Sequence, residues 1–357
     1  MNIKQPTLII DKARSIANIK AMFEKAKKHN LIFRPHFKTH QMAEVGEWFR
    51  NEGVEAITVS SVSMAKYFAD NGWKNITIAF PANIHEATEI NALAKKIELN
   101  IIADNIFTVQ YLNKNLTDTV GIFIEIDTGH HRSGIEYNNF VMIDELLKNI
   151  SSSGKLEFKG FLTHSGHSYL AKSKNEIEKI HNDALKKINF LKKKYSGSFP
   201  SMLISTGDTP CCSICNIFEG IDEIRPGNFV FYDIMQYFIG SCDLSKIAVS
   251  VACPVVSINK ERNEFIVYCG AIHLSKDYVT DNDNKKIFGL VVEYNENGWS
   301  EPIANTYVSS LSQEHGVIKT TSEFINKINT GSIIGILPTH SCLSVHQLKD
   351  FHTEVIN

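Results

Sequence analysis

A short apolar run followed by a segment of helical periodicity recurs eight times in the first two thirds of the chain. The runs fall at 31–33, 54–59, 75–80, 99–103, 120–126, 158–162, 202–204 and 223–232. Asp11 and Asp104 stand where helix caps belong. Eight strand-then-helix steps in roughly 230 residues match the size of a (β/α)8 barrel. Polar residues stand repeatedly at the C-terminal ends of the runs: Lys38, Ser60, Asp127, His164, Asp208 and Arg225. That is the rim on which barrels carry their chemistry. A doubly wound sheet is the competing α/β fold, but no GxGxxG stands at a first turn. After about residue 243 the pattern changes. The runs 247–258, 264–268, 287–294, 306–311 and 332–337 are short and β-branched, and 259–263 and 295–298 read as hairpin turns. The expectation is a barrel over 11–243 and a smaller all-β domain over 244–357, joined by 1–10.

With 43% hydrophobic and 21% charged residues, the 357-residue chain can build a globular core. A net charge of -2 gives no basic field for nucleic acid and no polybasic membrane patch. The run Leu8-Ile9-Ile10 is too short for a signal peptide and Asp11 follows it. No apolar run has the length to span a bilayer. Seven cysteines without framework spacing fit a reducing, cytoplasmic setting. Cys211, Cys212 and Cys215 cluster, but CCxxC lacks a partner pair, which favours small buried residues over metal ligands.

The stretch Arg34-Pro35-His36-Phe37-Lys38-Thr39-His40 ends the first apolar run. Pro35 cannot donate to a central ladder, and Met42, Val45, Trp48 and Phe49 begin a helical pattern. Lys38 thus sits near a strand's C-terminal end. Cationic neighbours lower a lysine's pKa, and a deprotonated lysine can form a Schiff base with an aldehyde. On these residues alone, a solvated surface lysine is the competing reading.

Further stretches follow in order: Asp127-Thr128-Gly129-His130-His131-Arg132-Ser133-Gly134, Gly166-His167-Ser168-Tyr169, Gly207-Asp208-Thr209-Pro210, Glu223-Ile224-Arg225-Pro226-Gly227-Asn228, Glu314-His315-Gly316 and Pro338-Thr339-His340-Ser341-Cys342. With the Lys38 stretch they span nearly the whole chain, and together they resemble the D-serine dehydratase/D-threonine aldolase family. The resemblance implies the fold of alanine racemase, a pyridoxal-phosphate barrel plus a β domain, and a homodimer with a shared active site. Such a cofactor needs a Schiff-base lysine, a phosphate cradle and a partner for its ring nitrogen. Lys38 resembles the lysine. Thr206, Gly207, Asp208 and Thr209, with Gly227 and Asn228, offer a phosphate cradle after two adjacent strands. Asp208 suits a dianion only through its backbone. Tyr232 offers a hydroxyl or is a packed barrel aromatic. Arg225 resembles the arginine facing the ring nitrogen in alanine racemase, and a guanidinium keeps its proton. Tyr169 is a second candidate for the ring or for proton relay. His164 packs against the ring face, and Arg132 contacts substrate or ring, or forms a structural ion pair.

His340 and Cys342 follow an apolar run and Pro338. In extended chain, i and i+2 point to one face, and an imidazole with a thiolate suits zinc. Taken alone, a buried His and Cys is the simpler reading. The resemblance makes them metal ligands, since members set up for elimination carry His-x-Cys where those set up for aldol cleavage carry His-x-Asp. His273, His315 and His346 are further candidates, and His315 is expected nearby as a contact or acid. The implied activity is a lyase acting on a D-3-hydroxy amino acid, foremost D-serine to pyruvate and ammonia. D-Threonine aldol cleavage is the alternative within the same chemistry. Racemisation needs no metal, and a non-catalytic pyridoxal-phosphate carrier needs neither the second domain nor the metal pair.

Overall fold

The computed structural model describes residues 3–296 and 298–357. Packing divides the chain into two units. One comprises Lys20–Lys38 and Ala43–Gly227, the other the N-terminal residues through Ile19 with Thr39–Met42 and Asn228–Asn357.

The first unit carries eight parallel strands: β2 (Ile32–Phe33), β3 (Ala56–Val59), β4 (Asn75–Pro81), β5 (Glu98–Ala103), β6 (Val120–Asp127), β7 (Leu156–Leu162), β8 (Leu203–Thr206) and β9 (Glu223–Ile224). Their order is β2-β9-β8-β7-β6-β5-β4-β3. An isolated parallel bridge between His36 and Thr58 brings the two ends of this order together. There the Phe37 N–H donates to the Thr58 carbonyl at 2.8 Å, and the Thr58 N–H donates to the Pro35 carbonyl at 2.9 Å. Parallel strands covered on both faces read as continuous apolar runs, and every residue of β6 is buried. Three helix starts are set by local chemistry: Ser61, Asn105 and Asp208 accept N–H groups of Met64, Thr108 and Cys211. The expected cap Asp104 instead accepts the Gly134 N–H at 3.2 Å, and Asn105 does the capping. Cys211, Cys212 and Cys215 are buried free thiols.

In the second unit β1 (Thr7–Asp11) joins β10 (Val249–Asn259), β11 (Glu264–Tyr268), β12 (Gly289–Val292), β13 (Tyr307–Leu311), β14 (His315–Lys319), β15 (Ile333–Pro338) and β16 (Thr353–Ile356). The sheet order is β11-β14-β13-β12-β15-β10-β1-β16, and β10 also pairs with β11, which closes six antiparallel strands into a ring. Val251, Val291, Val308, Ile318 and Ile336 fill its inside. β1 lies antiparallel to β10 and parallel to β16.

Two expectations change in detail. The apolar run 223–232 is strand only over Glu223–Ile224, because Pro226 ends the ladder; Asn228–Val230 form a 3-10 turn. Residues 228–243, expected with the barrel, pack with the β unit. Of the hairpin turn expected at 295–298, Asn297 lies outside the described residues, and Tyr294–Asn295 pairs with Gly298–Trp299. No helix among the described residues is long and apolar enough to cross a membrane.

Candidate active site

Phe37 fixes the start of the site. Its fully buried ring packs on Phe49, Phe68 and Trp73, with centroids 4.9, 4.9 and 5.1 Å away. Lys38 follows in a turn and is exposed between buried residues on both sides. The segment is therefore held by its neighbours while the lysine stays accessible. Its histidine neighbours do not supply the charge expected of them. Burial, then Lys38 itself, holds His36 well below the ordinary histidine range, and burial holds His40 down to about 3. Both are neutral at pH 7. The cations acting on His36 are Lys38, Arg225 and Arg132.

Arg225 leaves the end of β9 buried. Its Nε donates to Ser205 Oγ at 2.6 Å and one terminal nitrogen donates to the Thr163 carbonyl at 2.7 Å. Ser205 Oγ in turn donates to Glu223 Oε1 at 2.6 Å, and the other Glu223 oxygen takes Arg34 Nε at 2.5 Å. Burial lowers Arg225 to about 10, with Glu223 and Glu125 opposing, so it stays a cation at neutral pH. His164 donates from Nδ1 to the Gly207 carbonyl at 2.7 Å. Burial and Lys38 keep it neutral, so Nε2 is left as an acceptor. Arg132 is exposed and forms no ion pair among the described residues, so the structural salt bridge is not found there.

The turn after β8 carries the phosphate candidates. The Thr209 N–H donates to the Tyr169 hydroxyl at 3.2 Å, which brings Tyr169 to that turn. Thr206 and Thr209 are buried beside it. The Asp208 carboxylate is committed elsewhere: it accepts Ser168 Oγ and the Cys211 N–H, each at 2.8 Å, and burial raises its pKa. Gly207 has a packing reason of its own, since a Cβ there would lie 2.5 Å from the Arg225 backbone nitrogen. Hydroxyls, backbone N–H groups and an exposed lysine are a donor set that fits a phosphorylated aldehyde. Gly227 is buried at the end of its unit.

In the β unit, His340 and Cys342 do not lie in extended chain. β15 ends at Pro338, and Ser341–Leu348 is a helix with His340 at its cap position. Asp233 pins that helix, accepting the Ser341 N–H at 3.0 Å and Asn228 Nδ2 at 2.6 Å. The Cys342 Sγ lies 3.3 Å from Thr39 Oγ1 and 3.6 Å from Asn228 Nδ2. His340 Nδ1 meets Asp277 Oδ2 at 2.7 Å. Burial opposes the imidazolium, but Asp277 and then Cys342 outweigh it and raise His340 to about 11. An imidazole and a thiol two positions apart are a nitrogen and sulfur donor set that fits a divalent cation of zinc type. Tyr232 is buried with φ 48, an uncommon backbone for an aromatic residue. His315 is exposed, opposite Tyr268 across the ladder; its carbonyl accepts the Ser312 N–H at 2.9 Å, and its side chain makes no hydrogen bond or ion pair among the described residues. His273 Nδ1 accepts the Gly270 N–H, and His346 Nδ1 meets Gln41 Oε1 at 3.1 Å, so both serve local structure.

Sequence reasoning missed Asp277 and Asp233. Asp277 has no local signal, since its partner lies 63 positions away. Asp233 had one: Gln236 follows three residues on, the spacing of a capping box, and its N–H donates to Asp233 at 3.0 Å.

Residues 10–234 match the family described as "Alanine racemase, N-terminal domain", and residues 248–353 match "Putative serine dehydratase domain". The chain is 32% identical to a D-serine dehydratase of Dictyostelium discoideum, over 100% of this chain and 94% of that one. A D-threo-3-hydroxyaspartate dehydratase from Delftia sp. HT23 superposes with a TM-score of 0.89 at 23% identity, covering 99% of this chain and 95% of that chain. A cysteine-to-alanine mutant of D-threo-3-hydroxyaspartate dehydratase is described as a metal-free form. A D-threonine aldolase from Filomicrobium marinum superposes with a TM-score of 0.83 at 18% identity, over 96% and 89% of the two chains. With both halves matched and a relative at this identity along its whole length, the chain belongs to the D-serine dehydratase/D-threonine aldolase family, pyridoxal-phosphate-dependent lyases on the alanine racemase fold.

Proposed function

We propose that the protein is a metal-assisted lyase that dehydrates D-serine to pyruvate and ammonia. Bound pyridoxal phosphate supplies an electron sink at the substrate's α-carbon, and a bound zinc-type cation supplies a Lewis acid at its β-hydroxyl. The chain's own residues do the rest. Lys38 Nζ would hold the cofactor and, when free, would take the substrate's α-proton. Thr206, Gly207, Thr209, Gly227, Asn228 and Tyr232 hold the phosphate. Arg225 would hold the ring nitrogen as a hydrogen-bond donor that keeps its own proton. His164 and Tyr169 orient the ring, and Arg132 takes the substrate carboxylate. His340 and Cys342 hold the cation, with His315 as an acid for the leaving hydroxyl.

The observation that carries dehydration over aldol cleavage is the thiol at 342 beside His340, where the aldolases of the resemblance carry a carboxylate. The identity to a D-serine dehydratase supports it. The test is a panel of D-serine, D-threonine and D-3-hydroxyaspartate with metal added back, scoring keto acid against aldehyde. Keto acid from D-serine is expected. Aldehyde from D-threonine with no keto acid from D-serine contradicts the reading. Borohydride reduction and peptide mapping should place the cofactor on Lys38, and a label on another lysine removes Lys38 from its role.

A further inference from the structure

Asp277 touches a proposed metal ligand, at 2.7 Å from His340 Nδ1. Its carboxylate forms no other ion pair among the described residues. His340 stands at the cap position of the helix Ser341–Leu348, yet its side chain makes no capping hydrogen bond. Asp233 accepts the Ser341 N–H in its place, so the imidazole is not spent on the helix. The loop that delivers Asp277 is also unusual. Ser275 holds φ 69 and ψ -179, a backbone conformation that residues other than glycine rarely adopt. Its Oγ accepts the Asp277 N–H at 3.1 Å. Such a conformation persists only where its surroundings hold it, and it gathers at functional sites.

We infer that Asp277 is a positioning residue for the metal: its carboxylate fixes the His340 ring through Nδ1 and leaves Nε2 as the nitrogen presented to a divalent cation. Histidines that bind metals commonly donate their other ring N–H to a carboxylate, which sets the tautomer and raises the basicity of the ligating nitrogen. The inference rests on the proposed metal role of His340 and Cys342. The bland alternative is a half-exposed ion pair joining a loop to a helix, of small consequence for stability.

Zinc affinity separates the two. It is measured by competition with a chromophoric chelator on the full chain, loaded with pyridoxal phosphate throughout, with cobalt absorption as a second readout. Asp277→Ala should bind zinc about 10–100-fold more weakly than wild type. Asp277→Asn, which keeps an acceptor, should lose less, and Asp277→Glu should recover part of the loss. The visible absorbance of the lysine-bound cofactor and the circular dichroism should stay unchanged. Zinc binding by Asp277→Ala within about twofold of wild type, while His340→Ala has lost binding, overturns the inference and spares the metal site. A loss beyond about a thousandfold in Asp277→Asn with altered cobalt bands also overturns it, since Asp277 is then a ligand. If wild type binds zinc no better than His340→Ala, the metal reading fails and takes the inference with it.

Discussion

Cys342 Sγ stands within reach of the Thr39 hydroxyl and of Asn228 Nδ2, groups able to donate to a thiolate. Both would stabilise negative charge on sulfur. A carboxylate at 342 would carry the same charge but is harder, and oxygen ligands favour manganese or magnesium over zinc. A less Lewis-acidic ion helps a hydroxyl leave less well. Cys342→Asp should therefore slow D-serine dehydration at least about tenfold, a barrier rise of roughly 1.4 kcal/mol; steady-state keto-acid release measures it, and an unchanged rate contradicts the role given to sulfur. Residue types were legible here and their electrical state was not. The pairing of Lys38 with His36 and His40 could be read along the chain. Their neutrality could not, because it follows from burial that residues distant in sequence create.

The turn that joins β8 to the helix Thr209–Ile214 shows which parts of an element a sequence carries. Asp208 was visible as a polar residue at a strand's end, without its role as the cap. The need for glycine at 207 was not, since the group it would strike belongs to Arg225 on the neighbouring strand. Gly207→Ala should push the two strands apart and cost about 1–3 kcal/mol of stability; a lower unfolding midpoint checks it, and an unchanged midpoint removes the close-packing argument. The element at 341 was misread for a different reason. Pro338 was seen as an end to the strand, but the cap that starts the next helix is supplied by Asp233, more than a hundred positions away. His340 keeps an extended backbone at the cap position, and Cys342 is near enough to act on the imidazole's charge.

Across the whole molecule, the alternation of strands and helices and the later change to short β-branched runs were enough to read a barrel and a β domain. The packing of 228–243 with the β unit was hidden, since those residues continue the barrel's apolar pattern. Stability should depend on pH in a definite direction. The unfolded chain protonates His40 near pH 6.5, whereas the folded chain resists until about 3. Below pH 6.5 the unfolded state thus binds more protons, and folding free energy falls with falling pH. At pH 5 this one residue costs about 2 kcal/mol relative to neutral pH. Urea unfolding at pH 7 and pH 5 should show the loss, and His40→Gln should shrink the difference by that amount; an equal difference in the two proteins contradicts it. The most direct test of the whole account is keto-acid release from D-serine by the purified chain before chelation, after chelation and after zinc is restored. The account predicts turnover, its loss while the visible cofactor absorbance remains, and its recovery with zinc. Undiminished turnover after the metal has been shown to be gone would contradict it.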